Sequence, residues 1–324
     1  MQKVRARHVA AVVVLGLVAV ELLLVAAVHV ADRPSGVRLH EHYGWKMRPD
    51  VERSGAMWGG DRPAHTNGFG WRDRDRTLER ADGTRIAVVG DSFTFGVGAD
   101  DGERFTEWLE SQAPSLEVLN LGVNGFGTDQ QLRVVEEEGL AFDPDVVVCV
   151  TYLGNDLSDI THSEQHRWPK PHYRLEDGRL RLVPPEIRLW HRVRSATYTA
   201  EVLELVGRRV GLGRSSKRVP CEDPAALYLA IVDAMRDAAV ERGAKLAVML
   251  VHEPTIDAAT KGKIAAGLAE LGIPAVDLEP AFRAAMDAGE TLFNPPPVQH
   301  WNAAGHALAG AELARGLREL GWIE

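Results

Sequence analysis

The stretch Arg85-Ile86-Ala87-Val88-Val89-Gly90-Asp91-Ser92-Phe93-Thr94-Phe95-Gly96 decides how this chain is read. Arg85–Val89 is a short strand whose apolar residues run continuously instead of alternating. Such a strand suits a sheet covered on both faces. The run stops at Gly90, so Asp91 and Ser92 stand where the strand gives way to a turn. Outward from here the rhythm repeats. Strands are predicted at Glu117–Leu121, Asp145–Tyr152, Lys245–Val251 and Ala275–Leu278. Helices are predicted near Glu103–Ser111, Thr128–Gly139, Pro224–Arg242, Asp257–Leu271 and Ala303–Leu320, the last with Asn302 as N-cap. Strands spaced by helices pair in parallel through βαβ units. The expected fold is α/β: three layers, α/β/α, around a parallel sheet of flavodoxin-like type.

In open parallel sheets ligands bind beyond the carboxyl ends of the strands. The first strand ends in Gly90-Asp91-Ser92, the second in Asn120-Leu121-Gly122-Val123-Asn124-Gly125, and the third in Gly154-Asn155-Asp156. His300-Trp301-Asn302 stands before the last helix. One rim thus collects a serine, glycine amides, an asparagine amide and a histidine, which are a nucleophile, oxyanion donors and a base for acyl transfer. Taken singly, Ser92 also reads as a turn serine and Asn155-Asp156 as an Asx turn. Gly90-x-Ser92 lacks the second glycine of an α/β-hydrolase nucleophile elbow.

At these four blocks the chain resembles the SGNH hydrolases, also called GDSL esterases and lipases, over roughly residues 85–320. The resemblance implies Ser92 as nucleophile and His300 as general base. It implies an oxyanion hole of the Ser92 amide, Gly125 and Asn155, with Gly122 competing for the second block. Asp91 is read as a supporting residue that organises the nucleophile loop. Two positions depart from the family pattern. Leu153 stands where the third block usually has glycine, and Pro297 where the fourth usually has aspartate. A triad needs a group that fixes the imidazole tautomer. Either a backbone carbonyl orients His300, giving a Ser–His dyad, or a distant carboxylate serves, with Asp277 as candidate. The expected activity is hydrolysis of an ester through an acyl-serine intermediate, with O-acetyl groups of a cell-envelope carbohydrate as first substrate. An O-acyltransferase using the same serine and a non-catalytic envelope protein are the alternatives. No cofactor and no metal is expected.

The N-terminus carries a different signal. Residues 9–31, VAAVVVLGLVAVELLLVAAVHVA, match the ~20 apolar residues of a membrane span. A signal-peptide core is only about 7–15 residues long, and no good cleavage site stands near Ala31. An uncleaved transmembrane helix is expected, with a cleaved export signal as the alternative. Lys3, Arg5 and Arg7 precede the run, so the positive-inside rule leaves the N-terminus cytoplasmic and the rest periplasmic or extracellular. The domain reading is a tip and anchor at 1–31, a stalk and wrapping segment at 32–84, and an SGNH-like domain at 85–324 with an insertion at about 157–222. Within that insertion Tyr173–Val183 reads as a hairpin turning at Asp177-Gly178. Ile187, Trp190, Val193, Ala196, Ala200, Leu203 and Val206 recur at helical spacing. Residues 161–220 hold 13 Lys/Arg against 6 Asp/Glu. That excess reads as a solvated face or as attraction to an anionic surface.

Composition sets the outer bounds. The chain of 324 residues is 45% hydrophobic, ordinary for a globular protein. Its 37 basic and 46 acidic side chains give a net charge of −9, which supplies no overall footprint for nucleic acid. Cys149 and Cys221 make neither a disulfide scaffold nor a zinc pattern. Cys149, inside Val146–Val150, reads as a small buried hydrophobe.

Overall fold

The computed structural model describes residues 2–30, 36–53, 58, 63–80, 82–197, 216–251 and 256–324. Its centre is a sheet of β1 (Thr84–Val89), β2 (Leu116–Asn120), β3 (Val146–Tyr152), β4 (Lys245–Val251) and β5 (Ala275–Asp277). Every neighbouring pair is parallel, in the spatial order β5-β4-β3-β1-β2. The chain leaves β1 toward one edge for β2 and toward the other for β3. That reversal opens a crevice at the carboxyl ends of β1 and β3. Ser92 follows the first of these strands and Asn155 the second.

The helices are α1 (Gln2–Val30), α2 (Ser92–Phe95), α3 (Phe105–Glu110), α4 (Thr128–Glu137), α5 (Asp156–Asp159), α6 (Leu189–Ala196), α7 (Pro224–Glu241), α8 (Ala258–Glu270), α9 (Glu279–Asp287) and α10 (Ala303–Glu319). Alternate strand residues enter two separate cores. Ala87, Val89, Val147, Cys149 and Val248 pack with Leu132 of α4, Ile231 of α7 and Leu268 of α8. Ile86, Val88, Val148, Val150 and Met249 pack with Phe105 of α3 and Leu313 of α10. This is why the strands are apolar throughout: both pleat faces are covered, and each fully buried Val or Leu contributes about 1.5–3 kcal/mol. Cys149 is fully buried, and burial pushes its thiol up to about 12. The caps follow the sequence. Asn302 accepts the Gly305 N–H at 3.0 Å, and Asp257 accepts that of Thr260 at 2.9 Å.

Two regions differ from expectation, the segment ahead of β1 and the helical part of the insertion, while the insertion's hairpin forms where it is predicted. Within 32–84, expected as a stalk and wrapping segment, Val37–His40 and Gly44–Met47 pair antiparallel, and Tyr43 and Trp45 are buried in the main core. Aromatic side chains there find the rim of the sheet and pack on it. In the insertion, His172–Glu176 and Arg179–Val183 form the hairpin, with Asp177 and Gly178 both at positive φ. The helix expected from Ile187 onward is described only as α6, and residues 198–215 lie outside the described residues, so Ala200, Leu203 and Val206 carry no structural statement. Within α6 the buried side chains are His191 and Arg194, whereas Trp190 and Val193 are exposed. Apolar spacing picked the wrong face here, because Arg194 stacks its guanidinium on Trp168 at 3.9 Å.

At the N-terminus α1 is helical from Gln2 to Val30, with side chains described from Arg7 to Leu23. Among the described residues no helix is long and apolar enough to cross a membrane, so the expected span is not supported there.

Candidate active site

The loop carrying Ser92 is built by close backbone approach. A Cβ on Gly90 would stand 2.0 Å from Thr94 Oγ1, so only glycine lets β1 turn directly into α2. Asp91 caps that helix, its Oδ1 accepting the Phe93 N–H at 2.9 Å. Asn120, ending β2, donates through Nδ2 to the Thr94 carbonyl at 2.7 Å. Arg72 approaches from the wrapping segment, completely buried. Its guanidinium donates to the carbonyls of Phe95 at 3.1 Å, of Gly96, and of Ala99 at 2.7 Å, and its Nε to Asp101 at 3.1 Å. Neighbouring Asp73 accepts the Asn120 N–H at 3.0 Å and pairs with buried Arg76 at 2.8 Å. The loop is thereby fixed from both sides.

On this platform Ser92 Oγ lies 2.8 Å from His300 Nε2. The other ring nitrogen, Nδ1, lies 2.6 Å from the Val298 carbonyl oxygen. A carbonyl can only accept, so Nδ1 carries the proton and Nε2 is left as acceptor for the serine hydroxyl. Burial holds the His300 pKa below its ordinary value, the Val298 carbonyl partly opposing the shift, so the ring favours its neutral form. The carbonyl thus occupies the place that a carboxylate would take. Asp277 is not brought to His300: its Oδ1 accepts the Glu279 N–H at 2.9 Å, at the start of α9. The histidine loop closes on itself, Asn294 N–H donating to the His300 carbonyl at 2.7 Å and Phe293 bridging to Trp301. Phe93 packs beside the imidazole at 4.9 Å and against Tyr152 and Trp301, both at 4.7 Å.

Gly125 lies in the loop after β2 with φ +81. Asn155 follows β3, and its Nδ2 donates to Asp91 Oδ2 at 3.1 Å. One bond of Asp91 thus holds the Ser92 helix and another holds the asparagine. Asp156 is fully buried and ties the same turn down, accepting the Tyr152 N–H at 2.7 Å and the Thr128 hydroxyl at 3.1 Å. Burial raises both carboxyls, and their proximity raises Asp156 further. Gly122 is used for packing: a Cβ there would stand 2.6 Å from the Phe95 nitrogen. His162, His166 and His172 form no metal-binding group among the described residues. Sequence reading missed Arg72, although the run Gly70-Trp71-Arg72-Asp73 in the wrapping segment carried a signal for it. A backbone carbonyl for His300 was one of its two alternatives, and the structure supplies it from Val298. Which residue supplies it has no sequence signal, since any residue has a carbonyl.

Among solved structures the chain is similar to a G-D-S-L family lipolytic protein from Desulfitobacterium hafniense DCB-2, at 15% identity and TM-score 0.44, covering 72% of this chain and 99% of that one. The lipase/acylhydrolase from Enterococcus faecalis gives 16% and 0.43, covering 73% and 96%. A two-domain esterase active on acetylated mannans gives 15% and 0.43, covering 74% and 50%. These likenesses are too low to carry an argument. No curated protein matches. A sequence model of the GDSL-like lipase/acylhydrolase family matches residues 88–308, about two thirds of the chain and every block of the rim described above. The chain belongs to the GDSL-like lipase/acylhydrolase family, hydrolases that act on ester bonds.

Proposed function

We propose that the chain is a serine esterase working through an acyl-Ser92 intermediate. The observation that carries the reading is the Ser92 Oγ–His300 Nε2 contact of 2.8 Å, with Nδ1 engaged by a carbonyl at 2.6 Å. Ser92 Oγ attacks the ester carbonyl while His300 takes its proton at Nε2. The resulting imidazolium then protonates the leaving alcohol. Negative charge on the carbonyl oxygen is met by the amides of Ser92 and Gly125 and by the second Nδ2 hydrogen of Asn155, the first being held by Asp91. Water activated by the same His300 nitrogen then releases the acid. Pro297 stands where the family has an aspartate, and the Val298 carbonyl at Nδ1 supports the catalytic reading over a non-catalytic one.

The substrate reading is an O-acetyl ester of a cell-envelope carbohydrate, and it goes with a membrane anchor at residues 9–31. The anchor rests on the length of that apolar run, on Lys3, Arg5 and Arg7 before it, and on apolar side chains exposed along the part of α1 whose side chains are described, including the successive Val12, Val13, Val14 and Leu15. A helix apolar on every side needs protein or lipid around it. The catalytic part then lies outside the cytoplasm.

The test is acetate release from p-nitrophenyl acetate and from an O-acetylated polysaccharide, together with fluorophosphonate labelling. Wild type is expected to turn over and to label on Ser92. Ser92→Ala should lose both, with a fall in kcat of about 10⁴-fold or more. Undiminished turnover in that variant would remove the serine from the mechanism.

A further inference from the structure

The insertion sends one side chain back to the site. His162–Gln165 and Trp168–Pro169 pair antiparallel with Gln165 opposite Trp168, leaving His166-Arg167 as a two-residue turn. Both turn residues have positive φ, 51° and 63°. Asn and Gly dominate such turns because bulky side chains strain them. A strained turn persists only where its surroundings over-determine it, and here three contacts do so. Lys170, just after the hairpin, is completely buried against Asp129 of α4 at 2.9 Å and donates to the Asp159 carbonyl at 2.7 Å. Arg194 of α6 donates to the Arg167 carbonyl at 2.7 Å while stacked on Trp168. Trp45, buried in the core, meets the His166 ring edge-to-face at 6.0 Å.

The result of this bracing is a position over the oxyanion loop. His166 Nε2 stands 2.8 Å from where a Cβ of Gly125 would be. Lys170 is also close to that loop: its Nζ stands 3.3 Å from a Cβ placed on Gly127. Reaction chemistry says which part of the ester meets the imidazole. His300 must protonate the leaving oxygen, so the alcohol lies on the His300–Phe93 side. With the carbonyl oxygen turned to Asn155 and Gly125 and the leaving oxygen to His300, the acyl group is the remaining part of the ester that can approach the hairpin over Gly125.

We propose that His166 is a specificity-determining residue of the esterase site, a wall over Gly125 that limits the acyl group to a short one such as acetyl. This rests on the Ser92 reading above. Lys170 and Arg194 are positioning residues that hold the wall. No bond is made or broken by His166; it acts by occupying space that a longer chain needs.

The experiment compares kcat/KM for p-nitrophenyl acetate and p-nitrophenyl hexanoate in wild type, His166→Asn and His166→Gly. Asn and Gly tolerate the left-handed turn, so both variants keep the hairpin. Wild type is expected to favour acetate. The acetate-to-hexanoate ratio should fall by about tenfold or more in His166→Gly, the scale that a small change in pocket size produces, and by less in His166→Asn. A ratio within twofold of wild type in both variants overturns the proposal, and so does an equal loss on both esters. Those results leave the Ser92 reading standing as long as wild type labels with fluorophosphonate. Wild type that neither labels nor hydrolyses either ester removes that reading, and the role of His166 falls with it.

Discussion

Ser92 and His300 meet in one hydrogen bond, yet the two sides of that bond are built differently. The serine side is held by the sheet and by a separate segment. Arg72, Asn120 and Asp91 are buried around a four-residue helix and satisfy its backbone from several directions. The histidine side is a loop between α9 and α10. Its imidazole is oriented by a single carbonyl two residues earlier in the same loop. The Ser92 loop is thus fixed by long-range hydrogen bonds, whereas the hydrogen bond that orients the His300 ring is local. Substitutions should separate the two sides.

The largest effect is expected where the serine side is cut. Arg72→Met removes the donor that three loop carbonyls share and leaves Asp101 without one of its partners. Each buried acceptor left unpaired costs about 1–3 kcal/mol. A thermal melt should show a large fall in Tm, and kcat should fall with it even below the transition. A melt unchanged within error would mean that the sheet alone fixes the nucleophile. Next comes Asn155→Ala, which removes the proposed oxyanion donor and releases Asp91 Oδ2. Loss of one such donor costs about 10²–10³-fold in kcat, with KM changing much less. A KM effect alone would place Asn155 in ground-state binding.

The same contrast explains what could be read in advance. The sheet was legible because β1, β3 and β4 are covered on both faces, which forces unbroken apolar runs. Ser92, Gly125, Asn155 and His300 were legible because each follows a strand or precedes a helix, where the chain has to turn. Arg72 was not, because a buried arginine looks like any surface arginine until its carbonyl partners are assembled around it. The face of α6 was misread for a related reason: Arg194 buries its stem and plane against Trp168, so the most buried positions of that helix are polar. Asp277 was considered because carboxylates are visible in a sequence, whereas the carbonyl of Val298 is not.

The smallest effect is the most informative about the histidine side. Burial lowers the His300 pKa from 6.5, and the Val298 carbonyl opposes this only in part. A nearby carboxylate would act in the other direction, favouring the imidazolium and raising the pKa. In the proposed mechanism Ser92 is deprotonated by neutral His300, so activity should be lost as pH falls through the pKa of that ring. With a carbonyl as the orienting group, the acid limb of kcat/KM should therefore lie below 6.5, with full activity retained at neutral pH. Because kcat/KM reports the free enzyme, its pH profile on a small acetyl ester measures this group before substrate shields it. An acid limb above 6.5 would mean that a carboxylate reaches His300 in solution and that the two sides of the bond are less unequal than the geometry makes them.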